Sequence, residues 1–329
     1  VGKIRRQLHA KKDLMRTPPD KAELRHCFGP RFWPIWLVLG LLWIGCHLPY
    51  GMQLALGRRL GRLLHRFAGD RRRQVVARNL KLCFPDRNPE ELAELMYGQF
   101  EALGIAFFEI GMCWWGSARR LRKLVTVDGL ENLEQARARG HGVLLLSGHF
   151  TTLEIGGRLL GLFSPFHLMY RPNRNPLIQW VMRRSRERHF ERAIARNDVR
   201  SMLKSLKEGF PVWYAPDQAY RGMQGAMVPF FNVPAPTITA TSRIAHISGA
   251  PVVPFFCERL PGKQGYRLRL LPALENFPTD DPVADATRVN HVIEEQVRRV
   301  PEQYMWVHDR FKEVPRRPTR RRNPVEGSD

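Results

Sequence analysis

Between Arg31 and Arg58 the chain carries no charged side chain, reading FWPIWLVLGLLWIGCHLPYGMQLALG. Its most apolar part, Ile35 to Leu48, would as a helix rising ~1.5 Å per residue reach only ~21 Å, short of the ~30 Å hydrocarbon core of a bilayer. Crossing therefore requires the flanking aromatics Phe32, Trp33 and Tyr50, with Pro34 tolerated in a first turn and Pro49 acting as a stop. The pattern predicts an N-terminal membrane-anchor helix within residues 32–57, which either spans the bilayer or dips into one leaflet. A secretory signal peptide fits badly, because the basic leader is long and no small-x-small cleavage site follows the apolar run. Residues 1–31 hold nine Lys or Arg and residues 58–81 hold nine more, so the positive-inside count is tied. Such a tie also fits a segment that enters one leaflet and returns, leaving both flanks on one anionic surface.

Beyond the anchor, Met52 to Ala68 places Leu56, Leu60, Leu63, Leu64 and Phe67 at helical spacing, with Arg58, Arg59, Arg62 and Arg66 elsewhere on the circumference. This amphipathic helix suits either lipid headgroups or a core with a solvated Arg face. Pro89 to Trp115 reads as a long helix, with Leu92, Leu95, Met96, Leu103, Phe107 and Ile110 near helical spacing. From Leu124 onward the period changes. The short apolar runs LVTV, GVLLLS, FHLMY, VWYA, VVPFF and YRLRLL alternate with helical stretches. That rhythm predicts an α/β fold with a mainly parallel central sheet flanked by helices. The chain thus divides into a basic leader (1–31), the anchor (32–57), one large domain (58–314) and a basic tail (315–329) rich in Pro, Arg and Asn.

Composition narrows the class. Hydrophobic residues make up 43 % of 329 positions, with 18 Phe, 8 Trp and 7 Tyr, which excludes an intrinsically disordered chain. A formal net charge of +22 predicts anionic partners: nucleic acid, an acidic lipid face, or acidic substrates and carriers. No helix-turn-helix, zinc-finger or RNP pattern accompanies the charge, so a membrane-tethered nucleic-acid-binding protein is the weaker alternative and no nucleic-acid partner is expected. The five cysteines are scattered, without a C-x-x-C pair or histidines at zinc-ligand spacing, which predicts reduced, buried thiols and no structural metal.

Ligands of open parallel sheets bind at the carboxyl ends of strands. Four polar clusters fall there: His149 with Glu154 after GVLLLSG, Tyr170-Arg171-Pro172 after FHLM, Asp217-Gln218 after VWYAP, and Glu258-Arg259 after VVPFFC. An H-x-x-x-x-[DE] spacing is weak by itself, since eleven His and 31 acids in 329 residues give about one by chance. This chain has three, and only His149 with Glu154 follows a buried-looking strand; His65 with Asp70 and His308 with Glu313 do not. There Gly148 permits a tight turn, and Thr151 or Thr152 is available to cap the next helix. A carboxylate meeting one imidazole nitrogen fixes the tautomer and leaves the other free to take a proton from a hydroxyl. A structural histidine bonded to a nearby acid fits the same residues. Asp217 could equally be a turn residue or a helix cap, and most of the eleven basic residues from Arg171 to Lys207 read as a solvated face.

The segments ARNLKLCFPD, LLLSGHFTTLE, YRPNRNP, WYAPDQ and PEQYMWVHDRF resemble the late, or secondary, acyltransferases of bacterial lipid A synthesis, a family within the lysophospholipid acyltransferase superfamily. The likeness runs from about Phe28 to Arg317. It implies transfer of an acyl chain from acyl carrier protein to the hydroxyl of a 3-hydroxyacyl chain on a Kdo-bearing lipid A precursor. It also implies the anionic cytoplasmic face of the inner membrane as the place of action. His149 falls on the family's catalytic histidine and Glu154 on its partner acid; Arg186 and Asp217 match two further functional positions. Arg171 is a weaker match, as a phosphate or carboxylate contact.

The residues fit such chemistry on their own terms. No G-x-S-x-G elbow and no convincing Cys–His pair is present, so direct attack without an acyl-enzyme is expected. A thioester is already activated and needs positioning, a base and oxyanion stabilisation, with no metal or bound organic cofactor. A glycerolipid or glycolipid acyltransferase using the same dyad is the alternative within the class.

Overall fold

The computed structural model describes residues 24–312 except 221 and 223. The leader as far as residue 23, Glu313 and the tail at 315–329 lie outside the described residues. Helix α1 (Trp33–His47) is followed by α2 (Tyr50–Phe67), α3 (Asp70–Cys83), the long α4 (Pro89–Trp115) and the short α5 (Ala118–Arg122).

The single helix expected over 32–57 is two helices. Pro49 forces Leu48 into extended backbone (ψ 155°), so α1 stops at His47 and a new helix starts at Tyr50. Fifteen residues give α1 a length of ~22 Å. No helix among the described residues is long and apolar enough to cross a membrane. The end of α1 is instead tied to its neighbours: Gln53 Nε2 donates to Leu48 O at 2.8 Å, and Arg120 Nη1 donates to Cys46 O at 2.8 Å. Leu39, Leu42 and Cys46 turn inward, while Leu37, Leu41 and Ile44 stand more than half exposed.

Helix α2 does not turn its predicted leucine face to the core. Its buried face is Gln53, Leu54, Gly57 and Gly61, packed on α4, while Leu63, Leu64 and Phe67 are exposed beside the arginines. A Cβ on Gly61 would lie 2.3 Å from Phe100 O, so the two backbones meet where only glycine fits. Helix α4 begins with a capping box in which Asn88 accepts from Glu91 N at 2.8 Å and Glu91 Oε2 accepts from Asn88 N at 3.0 Å.

The sheet follows: β1 (Val125–Asp128), α6 (Leu130–Arg137), β2 (Leu144–Leu146), α7 (Leu153–Leu160), β3 (His167–Tyr170), α8 (Pro176–His189), β4 (Arg192–Ala195), α9 (Val199–Lys207) and β5 (Val212–Tyr214). After the hairpin β6 (Gly225–Phe230) and β7 (Val233–Ile238) come α10 (Ala240–Ser248), β8 (Val252–Arg259), β9 (Tyr266–Leu270) and α11 (Pro282–Arg299). Seven strands form one sheet in the order β1-β9-β8-β2-β5-β3-β4, and within that sheet only the β8–β9 pairing is antiparallel. The mainly parallel sheet was thus expected correctly.

Strands β4 and the β6–β7 ribbon were not anticipated. β4 is four residues inside the basic run, with one fully buried side chain, Ile194. The ribbon contains Pro229, Pro234 and Pro236, which argue against a sheet strand; a two-stranded ribbon tolerates them because each strand has an unpaired edge.

Side chains of the central strands alternate between two cores. Leu144, Leu146, Val252 and Phe256 enter one; Leu145, Val253, Phe255 and Cys257 enter the other. The second core is crossed by a buried ion pair. Arg259 holds Glu109 of α4 through two bonds of 2.7 and 2.8 Å, and Tyr266 donates to the same carboxylate at 2.8 Å. All five cysteines are buried, and no disulfide forms among the described residues.

Candidate active site

Strands β2 and β5 are parallel neighbours, with Leu146 opposite Tyr214. Three residues beyond each partner come His149 and Asp217, so equal offsets from one register bring both to the same end of the sheet. His149 Nδ1 lies 2.6 Å from Asp217 Oδ1, and the His149 backbone N–H donates to Oδ2 at 2.8 Å. Gly148 sits just before; a Cβ there would lie 3.0 Å from Ile293 and from Phe150.

The segment after α11 closes the site. Phe150 bridges Tyr304, Thr151 N–H donates to Gln303 O at 2.7 Å, and Met305 N–H donates to His149 O at 3.0 Å. This places Tyr304 so that its hydroxyl donates to Asp217 Oδ2 at 2.9 Å. Asn79 of α3 holds the segment through bonds of 2.8 Å to the carbonyls of Trp306 and His308. Arg310, buried, donates to Pro236 O at 2.6 Å and to Thr237 Oγ1 at 2.7 Å.

Asp217 is 1 % exposed and accepts three hydrogen bonds. Burial by itself raises a carboxyl pKa, but the charge of His149 and the donors around the carboxylate outweigh it and hold Asp217 at about 2. Burial likewise disfavours the imidazolium of His149. The facing Asp217 charge and hydrogen bond overcome that, leaving His149 above its ordinary value. The carboxylate therefore keeps the proton on Nδ1 and leaves Nε2 as the acceptor. The imidazole is 24 % exposed. His308 stands edge-on to it with ring centroids 5.7 Å apart, and Gln218 Nε2 meets His308 Nε2 at 3.3 Å. Burial lowers the pKa of His308, with the facing His149 adding to the effect.

Expectations for the other residues are partly corrected. Glu154 does not supply the Nδ1 partner. After the turn at 150–152 it enters the first turn of α7, where its Oε1 accepts from Arg186 Nη2 at 3.1 Å, while Asp217 occupies the imidazole. Arg186, 8 % exposed, also lies 4.7 Å over the Tyr170 ring, and its Nη1 is buried without a protein partner. Arg171 is exposed on the loop after β3 and makes no ion pair among the described residues. Thr152 does not cap α7; its hydroxyl donates to Cys257 O at 2.6 Å. Glu258 and Arg259 are structural: Glu258 accepts from Gln296 and Arg299 at 3.0 Å each, and Arg259 serves Glu109. Tyr304 and His308 were missed as site residues, although both fall within the segment PEQYMWVHDRF.

Flanking Asp217, Pro216 and Gln218 open onto a cavity of about 830 Å³ whose other walls include Met169, Met202, Leu203, Tyr214 and Ile244. A tautomer-locked histidine can take a proton from a hydroxyl. The cavity next to its carboxylate partner has mixed walls, apolar for the most part but with Arg196, Asn197 and Arg243 among them.

The family model for bacterial lipid A biosynthesis acyltransferase matches residues 20–313. The chain belongs to that family and is an acyltransferase. It is similar to the lipid A biosynthesis lauroyltransferase of Escherichia coli (strain K12), 42 % identical over 303 residues, 92 % of this chain and 98 % of that one. The palmitoleoyltransferase of the same organism is 39 % identical over 292 residues, 88 % and 95 % of the two chains. A solved structure, the 1-acyl-sn-glycerophosphate acyltransferase PlsC from Thermotoga maritima, superposes at a TM-score of 0.37 and 16 % identity, over 76 % of this chain and 97 % of that one.

Proposed function

We propose that this acyltransferase moves a fatty acyl chain from acyl carrier protein to the hydroxyl of a 3-hydroxyacyl chain on a Kdo-bearing lipid A precursor, at the cytoplasmic face of the bacterial inner membrane. The observation that carries the reading is the His149–Asp217 pair, with the residues on either side of Asp217, Pro216 and Gln218, lining the 830 Å³ cavity. His149 Nε2 takes the acceptor hydroxyl proton as the oxygen attacks the thioester carbonyl, and Asp217 stabilises the imidazolium as it forms. The carbon–sulfur bond then breaks, and the proton on His149 passes to the departing thiolate. The donor's acyl chain lies in the cavity, away from water.

Glu154 acts through Arg186. It holds the guanidinium while Nη1 remains available to an oxyanion or an acceptor phosphate. Arg171 provides an exposed contact for the same anionic acceptor. No metal or organic cofactor enters the proposal. The exposed apolar faces of α1 and α2, with Arg58, Arg59, Arg62 and Arg66 on α2, support embedding in one anionic leaflet. The positive charge also suits an acidic carrier protein.

The test is turnover of acyl carrier protein thioester with a tetra-acylated, Kdo-bearing acceptor. His149→Ala should lower kcat by about 10²–10⁴-fold. Wild-type-like turnover of that variant removes the assignment, and preference for lysophosphatidic acid over the lipid A precursor overturns the acceptor.

A further inference from the structure

Of the chain's eight tryptophans, five converge on one cleft: Trp36 and Trp43 of α1, Trp114 and Trp115 at the end of α4, and Trp180 of α8. The cleft has a volume of about 310 Å³ and is separate from the cavity beside Asp217. Beneath it, Leu39, Leu177 and Val181 belong to a small third core. Its rim is cationic. Arg184 and Arg188, one helical turn apart on α8, line it, are exposed, and have no carboxylate partner among the described residues. Arg184 rests its guanidinium 5.3 Å from the centre of the Trp180 ring, and Trp180 Nε1 is buried without a partner. The nearby Glu187 is turned to Arg183, 3.8 Å away.

The cleft therefore joins two surfaces. On one side is the apolar face of α1, where Leu37 is 66 % exposed and Leu41 and Ile44 are 55 % exposed. On the other are two guanidinium groups carried at i and i+4 of one helix, which puts them on the same face where one phosphate can meet both. Indoles favour the headgroup level of a bilayer, with the ring in the apolar boundary and the N–H toward polar atoms. Packing alone explains clustered tryptophans, but it does not call for two arginines at their rim that have no carboxylate partner among the described residues.

We propose that this cleft binds one anionic phospholipid of the bilayer, its phosphate held between Arg184 and Arg188 and an acyl chain lying against Trp36, Trp43 and Trp180. The site is non-catalytic: none of His149, Asp217, Glu154 and Arg186 lines it, and Arg186 on the same helix is turned inward to Glu154. A lipid seated there braces the helix that presents Arg186. The inference rests on the reading that α1 faces a leaflet.

The test uses the full chain and two vesicle preparations of identical composition, phosphatidylcholine with a minority of phosphatidylglycerol. In one, the phosphatidylglycerol chains are brominated; in the other, an equal amount of bromine is on phosphatidylcholine. Tryptophan emission of the wild type should be quenched more by the brominated phosphatidylglycerol. The double variant Arg184→Gln/Arg188→Gln should lose that difference, while Arg137→Gln/Arg139→Gln, which removes two exposed charges outside the cleft, should keep it. Equal quenching in a wild-type protein that floats with the vesicles overturns the lipid site alone, as does a difference that survives in the Arg184/Arg188 variant. Failure to float at all overturns the membrane-facing reading as well.

Discussion

His149 and Asp217 are 68 residues apart in sequence and 2.6 Å apart in space, because each stands three residues past one of a register pair, Leu146 and Tyr214, in adjacent parallel strands. The imidazole is thereby fixed by the sheet itself, and its chemistry is coupled to a carboxylate held at about 2.

A general base must be unprotonated to act. Because His149 titrates above the ordinary imidazole value, kcat should rise with pH through an apparent pKa above 6.5. Asp217→Asn removes the anion that raises it and leaves burial, which lowers it. The acid limb of the pH–rate profile should move downward while the plateau falls by about 10²–10⁴-fold. An acid limb unmoved in Asp217→Asn would separate the two residues.

Glu154→Gln should behave differently. Its carboxylate serves Arg186 and makes no bond to Nδ1, so the variant should lose activity while the acid limb stays within about 0.3 pH unit of wild type. A shift as large as that of Asp217→Asn would restore Glu154 as the imidazole's partner.

Tyr304→Phe deletes one of three donors to the buried Asp217 carboxylate. The expected cost is about 1–3 kcal/mol of stability, measured by denaturant unfolding, because a buried charge loses a hydrogen bond. The same loss should raise the pKa of Asp217.

Ile244→Phe adds bulk to a wall of the cavity next to Asp217. Competition between acyl carrier protein thioesters should show preference moving toward shorter chains, by roughly fourfold for each methylene displaced, the equivalent of about 0.8 kcal/mol.

Gly61→Ala tests the junction of α2 and α4. The added Cβ would meet the carbonyl oxygen of Phe100 at 2.3 Å, so the helices must part, at a cost of about 1–3 kcal/mol. Thermal unfolding should register it as a lower Tm, with Gly69→Ala, where nothing lies within 4 Å, as the control.

The sequence by itself determined what depends on neighbours along the chain. The period of α4, from Pro89 to Trp115, the six apolar runs that became β1, β2, β3, β5, β8 and β9, and the histidine after β2 were all legible, because side-chain spacing and turn residues act locally. Family segments added Arg186 and Asp217 as residues of interest. Tertiary structure decided who partners whom. The local i+5 spacing pointed to Glu154, but strand order set β5 beside β2 and gave the imidazole to Asp217, while the segment after α11 brought Tyr304 to Asp217 and His308 to the imidazole. Similarly, Pro49 was visible as a stop, yet only packing showed that α2 buries its glycines and leaves its leucines outside. A glycine face becomes an interior when a second backbone comes close enough to fill it, and that closeness is a property of the folded chain.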